Sequence, residues 1–332
     1  MKLAILGATG AVGLDIINCL KELDVQFSEL RLLASPRSAG KKIETPYGAK
    51  EVEAVDEKSF DGCTWAFFAA GADRSKRYLP HAITAGCRVI DCSSAFRYDK
   101  DVPLIISEIN ASRAIGAKLI ANPNCTTAIA SVVLWPLHQV FKLKKIIIST
   151  YQASSGAGTT AMTELINGTT DYLQNKKPTN EIFSHPLPFN LIPRIDVLQE
   201  NGYTKEEMKV VWELRKIFDD DSMGISCTCV RVPVLRSHSE SITIETEKEI
   251  DTDRTRSILS KAVGVDLIDE PHNDKYPMPL TSSEKFNVEV GRIRQSLIFG
   301  KFGIDFFISG DQILKGSALN AVQILKYVLG EE

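Results

Sequence analysis

KLAILGATGAVG, residues 2–13, joins a short apolar strand to a glycine-rich turn, and an amphipathic helix is predicted to follow over residues 14–20. Glycines at positions 7, 10 and 13 allow a tight turn, close approach of a diphosphate and close packing of helix on strand. The spacing is one residue longer than in the commonest dinucleotide fingerprint, so a purely structural turn stays the alternative. The residues predicted to contact a dinucleotide are Gly7, Thr9, Gly10, Ala11, Val12 and Gly13.

The second predicted strand, Leu30–Ala34, ends without the acid that an NAD-specific site usually places there for the ribose 2′-hydroxyl. The chain continues instead with Ser35-Pro36-Arg37-Ser38, and no acidic residue follows until Glu44. Hydroxyls and a guanidinium suit a 2′-phosphate, so we expect Ser35, Arg37 and Ser38 to bind NADP. A solvated basic loop is the other interpretation of these residues.

Further apolar strands are predicted at residues 65–70 and 88–92, with a helix between them from near Ser75 to Gly86. Alternating strands and helices with short connections predict a parallel, doubly wound sheet of the Rossmann type. Ligands bind such sheets at the carboxyl ends of the strands, and Arg97 follows the strand that ends at residue 92. From these residues alone, an ordinary surface arginine is the commoner interpretation of Arg97.

ANPNCTT, residues 121–127, lies where a short buried strand ends and an apolar helix begins near Thr126. Free backbone N–H groups and the positive end of the helix dipole meet at such a position. That environment lowers the pKa of a thiol, so we expect Cys125 to act as a nucleophile. A buried structural cysteine is the alternative.

The second half of the chain predicts an α+β domain with a mostly antiparallel sheet. A long loop interrupted by four prolines separates two of its helices. The predicted elements are strands at residues 144–152, 225–234 and 241–247, two or three strands between 285 and 308, helices at 159–173, 205–218 and 315–329, and the loop at 174–204.

Four polar side chains stand out within these elements. Glu206 and Lys209 lie on the polar face of the helix that a capping box at Thr204 begins, and a solvated ion-pair face is its ordinary interpretation. Arg231 lies inside an apolar strand, so it needs a partner. His238 lies in a polar turn, and of the five histidines it is the best placed for acid–base chemistry.

Length and composition limit the possible classes of protein. At 332 residues the chain is longer than most single domains and long enough to form two. Its net charge of −3 argues against a nucleic-acid or membrane-surface role, and no apolar run is long enough to span a membrane. The seven irregularly spaced cysteines match neither a disulfide framework nor a metal site, so we expect a reducing cytoplasmic setting and no bound metal.

Together these motifs resemble those of the aspartate-semialdehyde dehydrogenase family, and the resemblance covers essentially the whole chain in order. Several motifs in the right order are far more specific than any one of them. The matching segments are GATGAVG at 7–13, ASPRSAGK at 34–41, NPNCTT at 122–127, TYQASSGAG at 150–158, EEMK at 206–209, RVPV at 231–234, HS at 238–239 and KGSALNAVQ at 315–323.

The resemblance implies roles for individual residues. Cys125 matches the family nucleophile, His238 the general acid/base, and Gln152 the residue that orients the acyl intermediate. The residues with implied binding roles are Arg231 and Glu206 for the substrate α-carboxylate and α-amino groups, Arg97 and Lys209 for phosphate, and Ser155, Gly156 and Asn320 for the cofactor.

The implied reaction is the reductive dephosphorylation of L-4-aspartyl phosphate to L-aspartate 4-semialdehyde by NADPH, through a thioester on Cys125, in lysine, threonine and methionine biosynthesis. A dinucleotide-binding domain is implied at residues 1–122, completed by a C-terminal helix at 313–332, with a catalytic and dimerisation domain at 123–312. A homodimer or homotetramer acting on small molecules is implied as well.

The chain departs from the family pattern at Ser237, where glycine is expected, at Gln312, where asparagine is frequent, and at Ala69-Ala70, which replaces a serine-containing strand end. The nearest alternative, N-acetyl-γ-glutamyl-phosphate reductase, shares the fold and chemistry. Glu206 argues against it, because an acetylated α-amino group needs no carboxylate partner. More distant alternatives are an acyl-CoA reductase and a catalytically dead dinucleotide-binding homologue, and the intact Cys125 argues against the latter.

Overall fold

The computed structural model describes residues 1–331; Glu332, the last residue of the predicted C-terminal helix, lies outside them. The chain divides into two compact units, Met1–Asn124 with the chain from Ser317 onward, and Cys125–Gly316. The described strands are β1 (Lys2–Leu6), β2 (Glu29–Ala34), β3 (Lys42–Ile43), β4 (Lys50–Ala54), β5 (Trp65–Phe68), β6 (Arg88–Asp91), β7 (Leu119–Ala121), β8 (Leu143–Gln152), β9 (Gly224–Arg231), β10 (His238–Thr246), β11 (Val265–Leu267), β12 (Val288–Ser296) and β13 (Gly300–Gly310). The described helices are α1 (Ala11–Glu22), α2 (Ala72–Thr84), α3 (Ser107–Asn110), α4 (Cys125–Phe141), α5 (Thr159–Leu173), α6 (Lys205–Phe218), α7 (Thr252–Leu259), α8 (Pro279–Ser282) and α9 (Leu319–Glu331), with a π-helix at Leu314–Ala318.

The first unit is built on a sheet whose described strands have the order β3-β4-β2-β1-β5-β6-β7. Neighbouring strands pair in parallel, except that β3 and β4 are antiparallel. Residues 3–6 of β1 are completely buried, as expected for a central parallel strand covered on both faces. The predicted doubly wound sheet is confirmed, and the turn after β1 lies where the strand order reverses, the usual ligand position in such sheets.

The second unit contains a sheet with the order β11-β12-β13-β10-β8-β9 among its described strands. The strands β12, β13, β10 and β8 pair antiparallel, while β11 pairs with β12 and β8 with β9 in parallel. The predicted mostly antiparallel sheet is confirmed. The end of β8, the end of β9 and the start of β10 lie at one edge of this sheet, and they supply Gln152, Arg231 and His238.

Several predicted boundaries differ from those observed. Both α1 and α2 begin three residues earlier than predicted, each directly after a glycine, Gly10 or Gly71. Strand β9 ends at Arg231, before Pro233, because proline has no N–H for the ladder. The sequence patterns predict none of β3, β4 and β11. Strands β3 and β11, with two and three residues, are too short to show a period, and β4 is a polar strand with one buried residue, Val52.

The predicted loop between α5 and α6 is confirmed, since the described residues 174–204 form no helix or strand. The Glu164 carboxylate accepts hydrogen bonds from the backbone N–H groups of Glu181, Ile182 and Phe183, at 2.7–3.2 Å. Ile192 pairs with Arg231 in an isolated antiparallel bridge, so the loop is anchored to the end of β9. Within residues 1–331, no helix is both long and apolar enough to cross a bilayer.

Candidate active site

Cys125 is the first residue of α4, one residue before the predicted helix start. At that end of a helix the backbone N–H groups of the first turn point outward and the dipole is positive. The rest of α4 is apolar and mostly buried, so the core holds it in place. Cys125 is partly exposed, whereas five of the other six cysteines are buried, and its thiol therefore has the placement expected of a nucleophile.

Gly316 packs directly on Cys125. A Cβ at position 316 would lie 2.7 Å from the Cβ of Cys125 and 3.0 Å from its Cα, well inside van der Waals contact. The glycine belongs to the π-helix Leu314–Ala318, and π-helical turns are rare and frequent at functional sites. Only a residue without a side chain fits at position 316, a constraint that the sequence motif does not reveal by itself.

Gly316→Ala is expected to reduce turnover about a hundredfold, because displacement of the expected nucleophile, Cys125, by about 1 Å would cost roughly that factor. The added methyl group has to push Cys125 away, since the two Cβ atoms would be only 2.7 Å apart. Steady-state kinetics and the rate of Cys125 alkylation measure the effect. Gly330→Ala is the matched control, because a Cβ there meets nothing within 4 Å. Unchanged turnover in a folded Gly316→Ala variant would contradict the constraint.

His238 is the first residue of β10 and is completely buried, so the predicted polar turn is wrong for this residue. Antiparallel pairing with Gly310 of β13 draws it into the sheet. Its Nδ1 accepts a hydrogen bond from the N–H of Ala153 at 3.0 Å, so we assign the proton of the neutral ring to Nε2. Burial, followed by the charge of Arg231, lowers the pKa of His238 well below its ordinary value, and the ring is neutral at physiological pH.

Gln152, the last residue of β8, lies beside this imidazole, with 3.4 Å between its Nε2 and the Nε2 of His238. Its Nε2 donates to Oε1 of Glu206 at 3.2 Å, and its Oε1 accepts from the Thr150 hydroxyl at 3.0 Å. The residue is buried, so these two contacts hold the amide in one orientation beside the ring. Thr150 supports the site and is absent from the residues predicted by sequence.

Arg231, the last residue of β9, is only 6% exposed. Its Nη1 donates to the carbonyl oxygen of Ala153, and its guanidinium carbon lies 5.6 Å from the ring centroid of Phe183. Burial lowers the pKa of Arg231, and the charges of Glu206 and Cys125 oppose that shift. A guanidinium with one face on an aromatic ring and a fixed Nη1 is well oriented to bind a carboxylate.

Glu206 and Lys209 of α6 do not form the solvated ion-pair face that their spacing suggests. Glu206 is 6% exposed, and the Nζ of Lys209 lies 2.8 Å from its Oε2 and 2.8 Å from Oδ2 of Asp196. Burial alone would lower the pKa of Lys209, but the two carboxylates outweigh burial and raise it above its usual value. The solvated interpretation is wrong because the loop that carries Asp196 packs against this end of α6.

The turn after β8 contains Ser155 and Gly156. A Cβ at position 156 would come within 3.1 Å of the Nε2 of His238, so glycine keeps the space beside the imidazole open. The Ser155 hydroxyl accepts a hydrogen bond from Gln312, whose Oε1 accepts from the N–H of Ser237 at 2.8 Å. Ser237 has a φ of +71°, which explains the glycine expected there. Two residues that depart from the family pattern, Ser237 and Gln312, are therefore in contact, and Gln312 holds the backbone of Ser237 just before His238.

Two further predicted ligand residues lie in the first unit. Arg97 is 6% exposed, and its Nη2 donates to the carbonyl oxygen of Cys92 at 3.0 Å, so the surface-arginine interpretation is wrong. Asn320 is completely buried; its Oδ1 accepts from the N–H of Ser107 at 3.0 Å, and its Nδ2 donates to Oδ1 of Asn122 at 2.7 Å. These bonds attach α9 to its own unit and fix the orientation of the Asn320 amide.

The glycine turn after β1 fits a bound diphosphate. Gly7 has a φ of +93°, and a Cβ there would lie 2.5 Å from the carbonyl oxygen of Ala69. A Cβ on Gly13 would overlap the carbonyl oxygen of Gly7, so α1 packs directly on the turn. A cavity of about 260 Å³, here called the turn cavity, adjoins the turn and is lined by Gly7, Thr9 and Ser35 among others. The N–H groups that begin α1 are the donors an anion needs there.

Arg37 lies in a short 3₁₀ turn, Pro36–Ser38, and is exposed. A second cavity of about 490 Å³, here called the outer cavity, lies nearby. Its lining includes Ser35, the residue just before this turn, and Arg74 and Arg77 from α2. Sequence reasoning missed these two arginines, because a cation on a polar helix face carries no local signal of a ligand. The parallel pairing of β1 with β2 and β5 brings α2 close to Ser35.

The second unit thus combines a thiol at a helix start, a neutral imidazole and a buried guanidinium, on Cys125, His238 and Arg231. Such groups can attack a carbonyl carbon, exchange a proton with its oxygen and bind a carboxylate. Among residues 1–331, no three His, Cys, Asp or Glu side chains are grouped so as to hold a metal ion.

Two family models match the chain. Residues 2–117 match "Semialdehyde dehydrogenase, NAD binding domain", and residues 134–315 match "Semialdehyde dehydrogenase, dimerisation domain". The fold and these matches define the class of the protein as a semialdehyde dehydrogenase, an oxidoreductase with a nicotinamide dinucleotide-binding domain.

Individual relatives narrow this class. Aspartate-semialdehyde dehydrogenase from Synechocystis sp. is 43% identical over 99% of this chain and 97% of its own length, and that from Campylobacter jejuni is 45% identical over 97% and 96%. The structure of aspartate semialdehyde dehydrogenase II complexed with ASA from Vibrio cholerae has a TM-score of 0.95 at 37% identity, covering 99% of this chain and 98% of that one. The chain belongs to the aspartate-semialdehyde dehydrogenase family, as its motifs predict, and is an oxidoreductase of amino-acid biosynthesis.

Proposed function

We propose that the chain catalyses the NADPH-dependent reductive dephosphorylation of L-4-aspartyl phosphate to L-aspartate 4-semialdehyde, through a thioester on Cys125. The observation that supports this most strongly is the position of Cys125 at the start of α4, in the same unit as the buried His238 and Arg231. A thiol at that position suits nucleophilic attack. Family membership supports the same substrate.

The proposed bond changes use groups of this chain. The Cys125 thiolate attacks the acyl carbon, a C–S bond forms, the C–O bond to phosphate breaks, and phosphate leaves with the electron pair. Bound NADPH would supply the hydride that reduces the thioester carbon. His238 shares its Nε2 proton with the oxygen of the resulting hemithioacetal, and the N–H groups at the start of α4 stabilise negative charge on that oxygen. The C–S bond then breaks, which releases the aldehyde and restores the thiolate.

We propose that Arg231 pairs with the substrate α-carboxylate and that Glu206 accepts hydrogen bonds from the α-ammonium group. Gln152, fixed by Glu206, orients the acyl group. Arg97 and Lys209 are proposed to bind phosphate. Because the Lys209 ammonium already lies 2.8 Å from each of two carboxylates, we expect Arg97 to contribute more of the phosphate affinity.

The experiment that tests this function follows the absorbance of reduced nicotinamide with aspartate semialdehyde, phosphate and oxidised cofactor. The proposal requires reduction of the cofactor that depends on phosphate. N-acetyl-glutamate semialdehyde is the control substrate, because Glu206 is proposed to pair with a free α-amino group. Faster turnover of the acetylated aldehyde would identify the chain as an N-acetyl-γ-glutamyl-phosphate reductase instead.

We propose NADP rather than NAD as the cofactor, because the loop after β2 offers hydroxyls and a guanidinium and no acid before Glu44. An acid at the strand end would accept hydrogen bonds from the ribose hydroxyls and repel a 2′-phosphate. The residues proposed to contact the cofactor are Gly7, Thr9, Gly10, Ala11, Val12 and Gly13 for the diphosphate, Ser35, Arg37 and Ser38 for the 2′-phosphate, and Ser155, Gly156 and Asn320 near the nicotinamide.

Arg37→Ala is expected to weaken NADP binding about tenfold and to leave NAD binding almost unchanged, because an exposed charge-assisted hydrogen bond to the 2′-phosphate is lost. Calorimetric titration of wild type and variant with each cofactor measures the difference. An equal loss for both cofactors would mean that Arg37 stacks on the adenine ring. A wild type that binds NAD as tightly as NADP would refute the preference itself.

We also propose a homodimer or homotetramer. The dimerisation-domain match at residues 134–315 supports this, as do apolar side chains that the loop between α5 and α6 exposes, namely Ile182, Phe189, Leu191, Val197 and Leu198. We assign dinucleotide binding to residues 1–122 with 313–332, and catalysis and dimerisation to 123–312. The seven free cysteines support a cytoplasmic location. The aldehyde would serve lysine, diaminopimelate, threonine and methionine biosynthesis.

A further inference from the structure

Arg74 occupies a distinctive position in the first unit, because it lines both the turn cavity and the outer cavity. The two cavities share Ser35, Ala70 and Arg74, and Arg74 is the charged member of this shared set in the described part of the chain. A dinucleotide whose diphosphate lies on the glycine turn would reach the outer cavity by way of these three shared residues. An adenosine half bound in the outer cavity would then lie beside the Arg74 guanidinium.

The Arg74 side chain is exposed, but a hydrogen bond to the backbone fixes its orientation. It lies in the first turn of α2, and its Nη1 donates to the carbonyl oxygen of Ala70, four residues earlier, at 3.3 Å. That bond uses one of the five N–H donors of a guanidinium. Arg77 is held differently, since its guanidinium carbon lies 5.2 Å from the ring centroid of Tyr78. Arg74 is thus the arginine placed at the junction of the cavities, while Arg77 lies on the wall of the outer one.

The charge of the outer cavity favours an anion. Its lining contains Arg74 and Arg77 against one carboxylate, that of Asp73, which precedes Arg74 in α2. The loop after β2 adds the hydroxyl of Ser35 to the same lining and no acidic residue. A ribose 2′-phosphate carries the charge and the acceptor oxygens that this arrangement can pair with, whereas a 2′-hydroxyl does not.

We propose that Arg74, acting with Ser35, binds the 2′-phosphate of NADP and is a specificity-determining residue for this cofactor. The inference rests on the proposed use of NADP and adds a second guanidinium, from α2, to the one proposed on the loop after β2. The alternative role for Arg74 is contact with the adenine or the diphosphate, which NADP and NAD share.

The test is a calorimetric titration of NADP and NAD with wild type, Arg74→Ala, Arg74→Lys and Lys76→Ala. We expect Arg74→Ala to weaken NADP binding about tenfold with little change for NAD, because one exposed charge-assisted contact is lost. Arg74→Lys keeps the charge but not the planar fork, so an intermediate loss is expected. Lys76→Ala removes an exposed cation from the same helix that lines neither cavity, so it should bind both cofactors like wild type.

Titration with adenosine 2′,5′-bisphosphate and with 5′-AMP extends the test to the adenosine half alone, and Arg74→Ala should weaken only the bisphosphate. Equal losses for NADP and NAD, no loss for either, or an equal NADP loss in Lys76→Ala would each overturn the proposal. A wild type that prefers NAD would overturn the proposed cofactor. A wild type that prefers NADP, with Arg74→Ala unchanged, would overturn the role of Arg74 alone, so the two failures are distinguishable.

Discussion

Cys125→Ala is expected to lower turnover by at least about ten-thousandfold, because the variant lacks the sulfur atom proposed to form the thioester. Dinucleotide binding should stay close to that of wild type, since the glycine turn at residues 7–13 belongs to the other unit and is unchanged. Helix α4 should also persist, because alanine is the best helix former. Steady-state kinetics and cofactor titration on the same preparation measure both properties.

Alkylation with iodoacetamide tests the same assignment without a substitution. Cys92 is the other partly exposed cysteine, but burial of its thiol, with the neighbouring Asp91, raises its pKa to about 12. Contact with Cys229 and burial raise the pKa of Cys227 well above its usual value. Because the thiolate is the reactive form, mass spectrometry should find Cys125 modified first. Earlier modification of Cys92 or Cys227 would contradict the assignment of the nucleophile.

Arg231→Lys is expected to reduce kcat/KM for aspartate semialdehyde about a hundredfold, although the charge is kept. The buried guanidinium is fixed between the carbonyl of Ala153 and the ring of Phe183, which leaves a planar pair of donors for a carboxylate. A lysine ammonium cannot make that bidentate contact and costs more to bury, and the loss of one charge-assisted hydrogen bond alone accounts for about tenfold to a hundredfold. Kinetics with varied aldehyde and varied phosphate measure the effect.

Arg231→Lys should raise the KM for aspartate semialdehyde, whereas the KM for phosphate should change little. Arg215→Lys is the matched control, because Arg215 of α6 donates to the carbonyl oxygen of Met223, at 3.1 Å from Nε and 2.8 Å from Nη2, and is not among the proposed site residues. It should keep wild-type kinetics. Equal changes of both Michaelis constants in Arg231→Lys, or a loss of kcat/KM below tenfold, would show that Arg231 does not bind the α-carboxylate of the substrate.

Local patterns predict the elements that carry the chemistry. The glycines at 7, 10 and 13 between an apolar strand and an amphipathic helix predict β1, the turn and α1, because backbone freedom and periodicity are properties of neighbouring residues. The same kind of reasoning places Cys125 at a helix start, within one residue of the observed start of α4. The motifs in their order also predict the family, which the comparisons confirm.

Burial of the polar site residues is not predictable in this way. Glu206, Arg97 and His238 have polar neighbours in the chain, and their sequence context favours a solvated face, a surface position and a turn. In the structure they are buried, because segments distant in sequence cover them; Gln152 reaches Glu206 across 54 residues, for example. Burial then shifts the pKa of His238 downward, so its protonation state also depends on contacts that no local pattern contains.

By itself, then, the sequence determined the order and type of the main elements, the dinucleotide turn, the helix start at Cys125 and the family. Tertiary structure alone decided that Gly316 packs on Cys125, that Gln312 supports Ser237, and that Arg74 lies between two cavities. The physical reason is the range of the interactions. Turn and helix signals act over a few residues, whereas close contacts, cavities and desolvation arise only when distant segments pack together.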